Sequence, residues 1–284
     1  MVLVLSLVIA HLAGDFLLQT DRMLMEKKKY IWKHIIHHFL LSVFVLQIFV
    51  PHHWGKVIFT AGAIGGTHLI IDLLKIKLFD NLNQENLKKL WAFLFDQLLH
   101  LTVILGVCHM FLNINMAIAG GKALDVLRDN SVTLGTVNSI LFTVIIVLLA
   151  TSVSGHIVRI LLGTLPGQLM TFEGKYSFRN KRKEGSLQDR SVRNCGITEE
   201  YNYMVFSKHD LSRGKLIGYL ERLLVILLTF YSAYPAIGFI VAAKSIARFK
   251  QLDDRDWAEY FLLGTLASML LGIALGILLR EAIA

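Results

Sequence analysis

Four pairs of polar side chains recur one helical turn apart in the first hundred residues of this chain: His11 with Asp15, His34 with His38, His68 with Asp72, and Asp96 with His100. A spacing of four residues sets both members of a pair on one face of a helix. Random placement of the nine histidines and five aspartates of residues 1–115 would give about one His–Asp pair at that spacing, and there are three. Imidazole nitrogens and carboxylate oxygens are ligands for divalent metals, zinc above all. The chemistry these pairs predict is therefore metal binding, with His11, Asp15, His34, His38, His68, Asp72, Asp96 and His100 as the candidate ligands. Asp15, Asp72 and Asp96 are also the candidate catalytic carboxylates.

The elements that must position these groups are apolar. The chain has 284 residues, 55% of them hydrophobic, only 18% charged and only 3 proline, with a mean hydropathy of +0.57. Several apolar runs approach the ~20 residues needed to cross a ~30 Å hydrocarbon core. The runs are unbroken rather than alternating, which excludes a β-barrel. The expected fold class is all-α: a polytopic transmembrane helix bundle of seven or eight spans with one basic cytoplasmic segment. Two cysteines, Cys108 and Cys195, form no CxxC pair and suggest neither a disulfide framework nor a thiolate site.

The expected organisation has four parts. Residues 1–115 form a four-helix transmembrane domain carrying the His/Asp site, with helices near Val2–Gln19, His34–Val50, Val57–Lys77 and Leu90–Leu112. Residues 116–163 hold an exported loop and a fifth helix, and 164–215 form a basic cytoplasmic segment. Residues 216–284 hold the C-terminal helices, as one long helix or two broken near Tyr234-Pro235, followed by a last one. The segment Thr20–Lys33, with five basic and two acidic residues, marks the cytoplasmic side by the positive-inside rule. That places the protein as a multi-pass membrane component with this segment on the cytoplasmic face, and its partners as membrane lipid. The basic segment lacks aromatic interleaving and a recognition-helix pattern, so nucleic acid is not an expected partner.

This orientation brings all eight groups to one depth, near the cytoplasmic ends of four antiparallel helices. An aspartate at the centre of a membrane helix costs about 2.5–3.5 kcal/mol on insertion scales. Three would cost on the order of 9 kcal/mol, which structural zinc binding at about 10–16 kcal/mol would offset. Scattered hydrogen bonds of about 0.6 kcal/mol each would not. The competing reading of any single pair is plainer: a hydrogen-bonded packing histidine, or Asp72 paired with Lys75 one turn on. His37 points about 100° away from His38 and reads as structural, and His52, His53 and His109 as headgroup contacts.

At these residues the chain resembles a bacterial family of uncharacterised polytopic membrane proteins. The resemblance rests on His11-Leu-Ala-Gly-Asp15-Phe-Leu-Leu-Gln19, His68-Leu-Ile-Ile-Asp72 and Asp96-Gln97-Leu-Leu-His100, and covers about the first hundred residues. More distantly, the pattern is similar to membrane-bound metal-dependent hydrolases. Ile217–Arg222 and Lys244–Phe249 resemble the longer members of the same family. The expected function is an integral-membrane, metal-dependent hydrolase, zinc the first choice, acting on a lipid or phosphate ester near the cytoplasmic face. The alternatives are a divalent metal-ion transporter and a non-enzymatic, metal-stabilised scaffold or sensor.

Smaller features carry smaller expectations. Gly62 and Gly66 suggest a close helix approach beside His68, or ordinary packing. Glu221 and Arg222 in an apolar stretch suggest pairing with Lys244, Arg248 or Glu259, or a headgroup site. Ser154-Gly155-His156 lacks the frame of a nucleophile elbow.

Overall fold

Buried positions along the N-terminal helices recur every three or four residues, as an amphipathic stripe requires. Helix α1, Val2–Phe16, buries Leu7, Ala10, His11 and Gly14. Helix α2, Lys27–Phe49, buries Ile31, His34, Ile35, His38, Ser42 and Leu46. Helix α3, Trp54–Phe79, buries Val57, Thr60, Ala61, Ile64, His68 and Ile71. Helix α4, Asn86–Leu112, buries Phe93, Asp96, His100, Ile104, Val107 and Cys108. The computed structural model describes residues 1–20, 22–23, 26–79, 85–115, 120–121, 134–163, 174–175, 202–203, 208–249, 252–253 and 255–283.

Each of these stripes changes character halfway. Leu7 of α1, Leu46 of α2, Val57, Ala61 and Ile64 of α3, and Ile104, Val107 and Cys108 of α4 join in one apolar core. The other halves of the same four stripes carry the histidines and aspartates. N-terminal halves of α1 and α3 thus meet C-terminal halves of α2 and α4, so the helices alternate in direction. α1 packs against α2, α4 and the next helix, and α3 packs against both α2 and α4.

The outward faces are apolar. On α2, Ile36, Leu40, Phe44 and Ile48 repeat every four residues and are all exposed. Such a stripe has no place in water on this scale and fits contact with lipid chains.

Helix α5, Thr136–Leu162, is interrupted by a π turn at Leu149–Val153. Helix α6 spans Lys208–Phe230, α7 Tyr234–Ala247 and α8 Arg255–Ile283. The break near Tyr234-Pro235 is present: α6 stops at Phe230, Ser232 takes a left-handed φ of 56°, and Pro235 sits in the first turn of α7, where its missing N–H is harmless. Five helices among the described residues are long and apolar enough to cross a membrane: α2, α3, α4, α5 and α8. Apolar α1 and α7 are shorter, at 15 and 14 residues, and α6 carries Lys215, Glu221 and Arg222.

Chain contacts define two compact units, Met1–Gly163 with Ile217–Ala284, and Thr164–Leu216. In the second, β1 (Gly174–Lys175) pairs antiparallel with β2 (Asn202–Tyr203). The other expectations for the basic segment, with Cys195, lie outside the described residues.

Two boundaries differ from the sequence reading. α2 begins at Lys27, not His34, so His34 lies two turns inside the helix. Hydropathy marks where a helix meets lipid, and Lys-Lys-Lys-Tyr-Ile-Trp-Lys contains no glycine or proline to stop it earlier. α1 ends at Phe16 rather than Gln19, where the amides of Leu17 and Leu18 both donate to the Ala13 carbonyl.

Candidate metal centre

The polar halves of α1–α4 meet in a nest of five imidazoles and three carboxylates. His11, His34, His38, His68 and His100 are each no more than 7% exposed. Their rings are close: His38 and His68 stack with centroids 4.0 Å apart, His68 and His100 lie at 4.1 Å, and His11 and His100 at 5.1 Å. Asp15 is the hub. Its Oδ1 lies 3.0 Å from His38 Nε2, 3.3 Å from His34 Nε2 and 3.7 Å from His68 Nε2, and its Oδ2 lies 3.6 Å from His11 Nε2. Asp72 Oδ2 lies 3.5 Å from His68 Nε2 and 3.6 Å from His34 Nε2. The Nε2 atoms of His34 and His68 are themselves 3.1 Å apart.

These groups satisfy one another only in part, the His34–His68 contact being a hydrogen bond. The Nε2 atoms of His11, His38 and His100 and the Nδ1 of His34 are buried with no hydrogen-bond partner. The 3.0 Å approach of His38 Nε2 to Asp15 is a distance without hydrogen-bond geometry. His100 shows how a ring is prepared. Its Nδ1 lies 2.8 Å from the Asp96 carbonyl, so that nitrogen carries the proton and Nε2 presents a lone pair. A buried polar atom without a partner costs on the order of 1–3 kcal/mol, a cost that one bound cation would relieve at several atoms at once.

The ligand atoms fit that reading. Three overlapping sets each place one ligand atom per residue within 4.8 Å of the others: His11, Asp15, His38 and His68; His34, His68 and Asp72; and Asp72, Asp96 and His100. These buried groups could hold a metal ion, and His68 and Asp72 are shared between sets. All eight residues singled out from the sequence are brought together. Their separate roles as ligand or base are a matter of proposal below.

Three further residues shape the surroundings. Gln97 donates its Nε2 to Asp15 Oδ2 at 3.1 Å and so orients the hub carboxylate. Its signal was its place in Asp96-Gln97-Leu-Leu-His100. Lys75 is paired with Asp96, not with Asp72: the lysine reaches across to α4 instead of back along its own helix. Gly14 is the close approach that Gly62 and Gly66 are not. A Cβ at position 14 would lie 2.5 Å from His38 Cε1, whereas nothing lies within 4 Å of one at 62 or 66. His37 is half-buried and His52, His53 and His109 are exposed, away from the nest.

Residues 3–122 match the model of a family described as "Protein of unknown function (DUF3307)". The matched stretch takes in α1 to α4 and every residue of the nest, and ends before α5. No curated protein and no solved structure matches the chain.

Elsewhere, Glu221, Arg222 and Lys244 of the C-terminal helices have partners. Lys244 Nζ donates to Glu221 Oε2 at 2.6 Å, one of the pairings the sequence suggested. Arg222 does something else. Its Nε donates to the Ala150 carbonyl at 2.5 Å, Nη2 to the Thr151 carbonyl at 3.4 Å, and Nη1 to Ser268 Oγ at 3.1 Å. It thereby fastens α6 to α8 and to two carbonyls in the π turn of α5, of which that of Thr151 also accepts from the Ser154 amide.

Proposed function

We propose that this protein is an integral-membrane, metal-dependent hydrolase, its nest loaded with a divalent ion, zinc by ligand type, and its substrate a lipid or phosphate ester reached near the cytoplasmic face of a bacterial membrane. The observation that carries the reading is the group of buried imidazole nitrogens gathered around Asp15 that lie close to its carboxylate without hydrogen-bonding it. Imidazole-rich sets with carboxylate suit zinc. Five histidines and three aspartates exceed what one tetrahedral ion needs, which leaves groups for a second ion or for orienting the first. Bound zinc supplies a Lewis acid and a water of lowered pKa.

The chain's own residues divide the work. His11, His38, His68 and His100 are the imidazole ligands. Asp15 is held by Gln97 and surrounded by histidines, which suits a ligand of fixed orientation. Asp96 is neutralised by Lys75. Asp72 is the most open of the three, with its side chain 16% exposed against 11% for Asp15 and 6% for Asp96, and so is the carboxylate best placed to take a proton from an incoming water.

The spans follow from the same picture. With the five long helices, short α1 and α7 and the charged α6 complete an eight-span arrangement, in which the basic residues Lys27, Lys28, Lys29 and Lys33 at the start of α2 face the cytoplasm.

A transporter needs a polar path to both faces. Beyond the nest the four helices close in an apolar core around Leu7, Leu46, Val57 and Ile104, which weighs against that reading. Elemental analysis of purified protein is the test. Wild type is expected to carry at least one zinc per chain, and His68→Ala and Asp72→Ala to lose both metal and hydrolysis of phosphate esters. Full metal content in both variants would sink the proposal, and metal uptake into proteoliposomes would turn it toward transport.

A further inference from the structure

Beside the nest lies a narrow, partly open cleft lined by Gln19, Met23, Lys27, Tyr30, His34 and Asp72 among others. His34 and Asp72 belong to the nest, so the cleft is the described approach to it. Lys27 has no ion-pair partner among the described residues, although Asp72, Asp96, Asp15 and Lys75 all lie within reach of its charge. Lys27 opens α2, followed by Lys28 and Lys29, with no acidic residue in the first turn. Cations there oppose the helix dipole, whose positive end favours anions. Local preference and global sequence disagree at this point, which is where function is expected to override stability. His156 of α5 also lies within range of Lys27 and Lys75.

The charges explain when such a cleft would attract an anion. Three carboxylates, Asp15, Asp72 and Asp96, outnumber two ammonium groups, Lys27 and Lys75, by one. With neutral imidazoles the ensemble is one charge negative, and a single divalent ion makes it one charge positive. Lys75 is already committed to Asp96, so the excess positive charge at the mouth is that of Lys27.

We propose that the cleft is a phosphate subsite in which Lys27 holds the anionic group of the substrate against Asp72 and His34, and that it accepts a phosphate only once the metal is bound. This rests on the metal-centre reading above and names its substrate class: a phosphate monoester, free or as a lipid headgroup. Coupling is reciprocal, so phosphate also tightens the metal.

The test titrates inorganic phosphate calorimetrically into zinc-loaded, full-length protein in phosphatidylcholine nanodiscs, with metal content measured on each sample. The expected result is binding to the loaded wild type, weakening of about ten-fold or more in Lys27→Gln, as loss of one charge-assisted contact predicts, and near-wild-type binding in Lys27→Arg. Lys27→Gln keeps its zinc, which shows that it folds, and chelated wild type binds no phosphate. Phosphate binding that survives Lys27→Gln or chelation, or that is absent from zinc-loaded wild type, overturns the subsite while leaving the metal centre standing. Zinc absent from wild type overturns the metal centre, and the subsite with it. Repeating the titration in discs containing phosphatidic acid separates the sources: suppressed heat supports a lipid phosphate, undiminished heat a soluble one.

Discussion

Arg222 and His100 are buried alike, at 4% and 3% exposed, yet they leave their surroundings in different states. The guanidinium of Arg222 finds two carbonyls and a hydroxyl on neighbouring helices, and nearby Glu221 has Lys244. That C-terminal cluster is closed: its donors and acceptors answer each other, and its task is to hold α5, α6 and α8 together. His100 spends one nitrogen on its own helix and leaves the other without a hydrogen bond, its ring beside those of His11 and His68. The contrast teaches that buried polar groups in this helical protein come in two forms, one whose members pair with each other and one whose imidazole nitrogens are left open.

The closed cluster yields the largest stability effect. Arg222→Met keeps the bulk but takes the side-chain donor from the buried Ala150 carbonyl, at about 1–3 kcal/mol. Thermal melting in detergent should fall accordingly while zinc content per folded chain stays at the wild-type value. Loss of zinc from folded Arg222→Met would break the division between the two clusters. Gly14→Ala strikes the open cluster through packing. The added methyl meets the His38 ring, and overpacking of this kind costs about 1–3 kcal/mol. Here melting temperature and zinc affinity should fall together, and an unchanged zinc affinity would mean that His38 is not a ligand. Gln97→Leu is the mildest. It frees Asp15 to turn without removing a ligand, so zinc affinity should drop about ten-fold, the lower end for an orienting residue, with melting of the metal-free protein nearly unchanged. Competition with a colorimetric chelator reads that difference.

The nest itself was legible in the sequence because it is written in the helix period. Each helix contributes two groups four residues apart, and alternation of helix direction brings the pairs to one level. What was not legible is what crosses between helices. Asp72 and Asp96 were equally placed to receive Lys75, and only the rotation of α3 against α4 decides for Asp96. Gln97 lies a hundred degrees round the helix from Asp96, so periodicity alone would not point it at Asp15. Gly14 looked like any other glycine between His11 and Asp15, whereas Gly62 and Gly66 matched a known packing motif and face open space. Span number was the weakest reading, since α1 and α7 are short and α6 is charged.

The π turn at Leu149–Val153 has a geometric consequence for the rest of α5. One surplus residue in a turn advances everything downstream by about 100° around the axis. His156 faces Phe93, with ring centroids 4.8 Å apart, only because of that advance. Shortening the segment by a single residue would wind it back into an ordinary α-helix, swing His156 away from α4, and erase the two carbonyl seats on which the guanidinium rests.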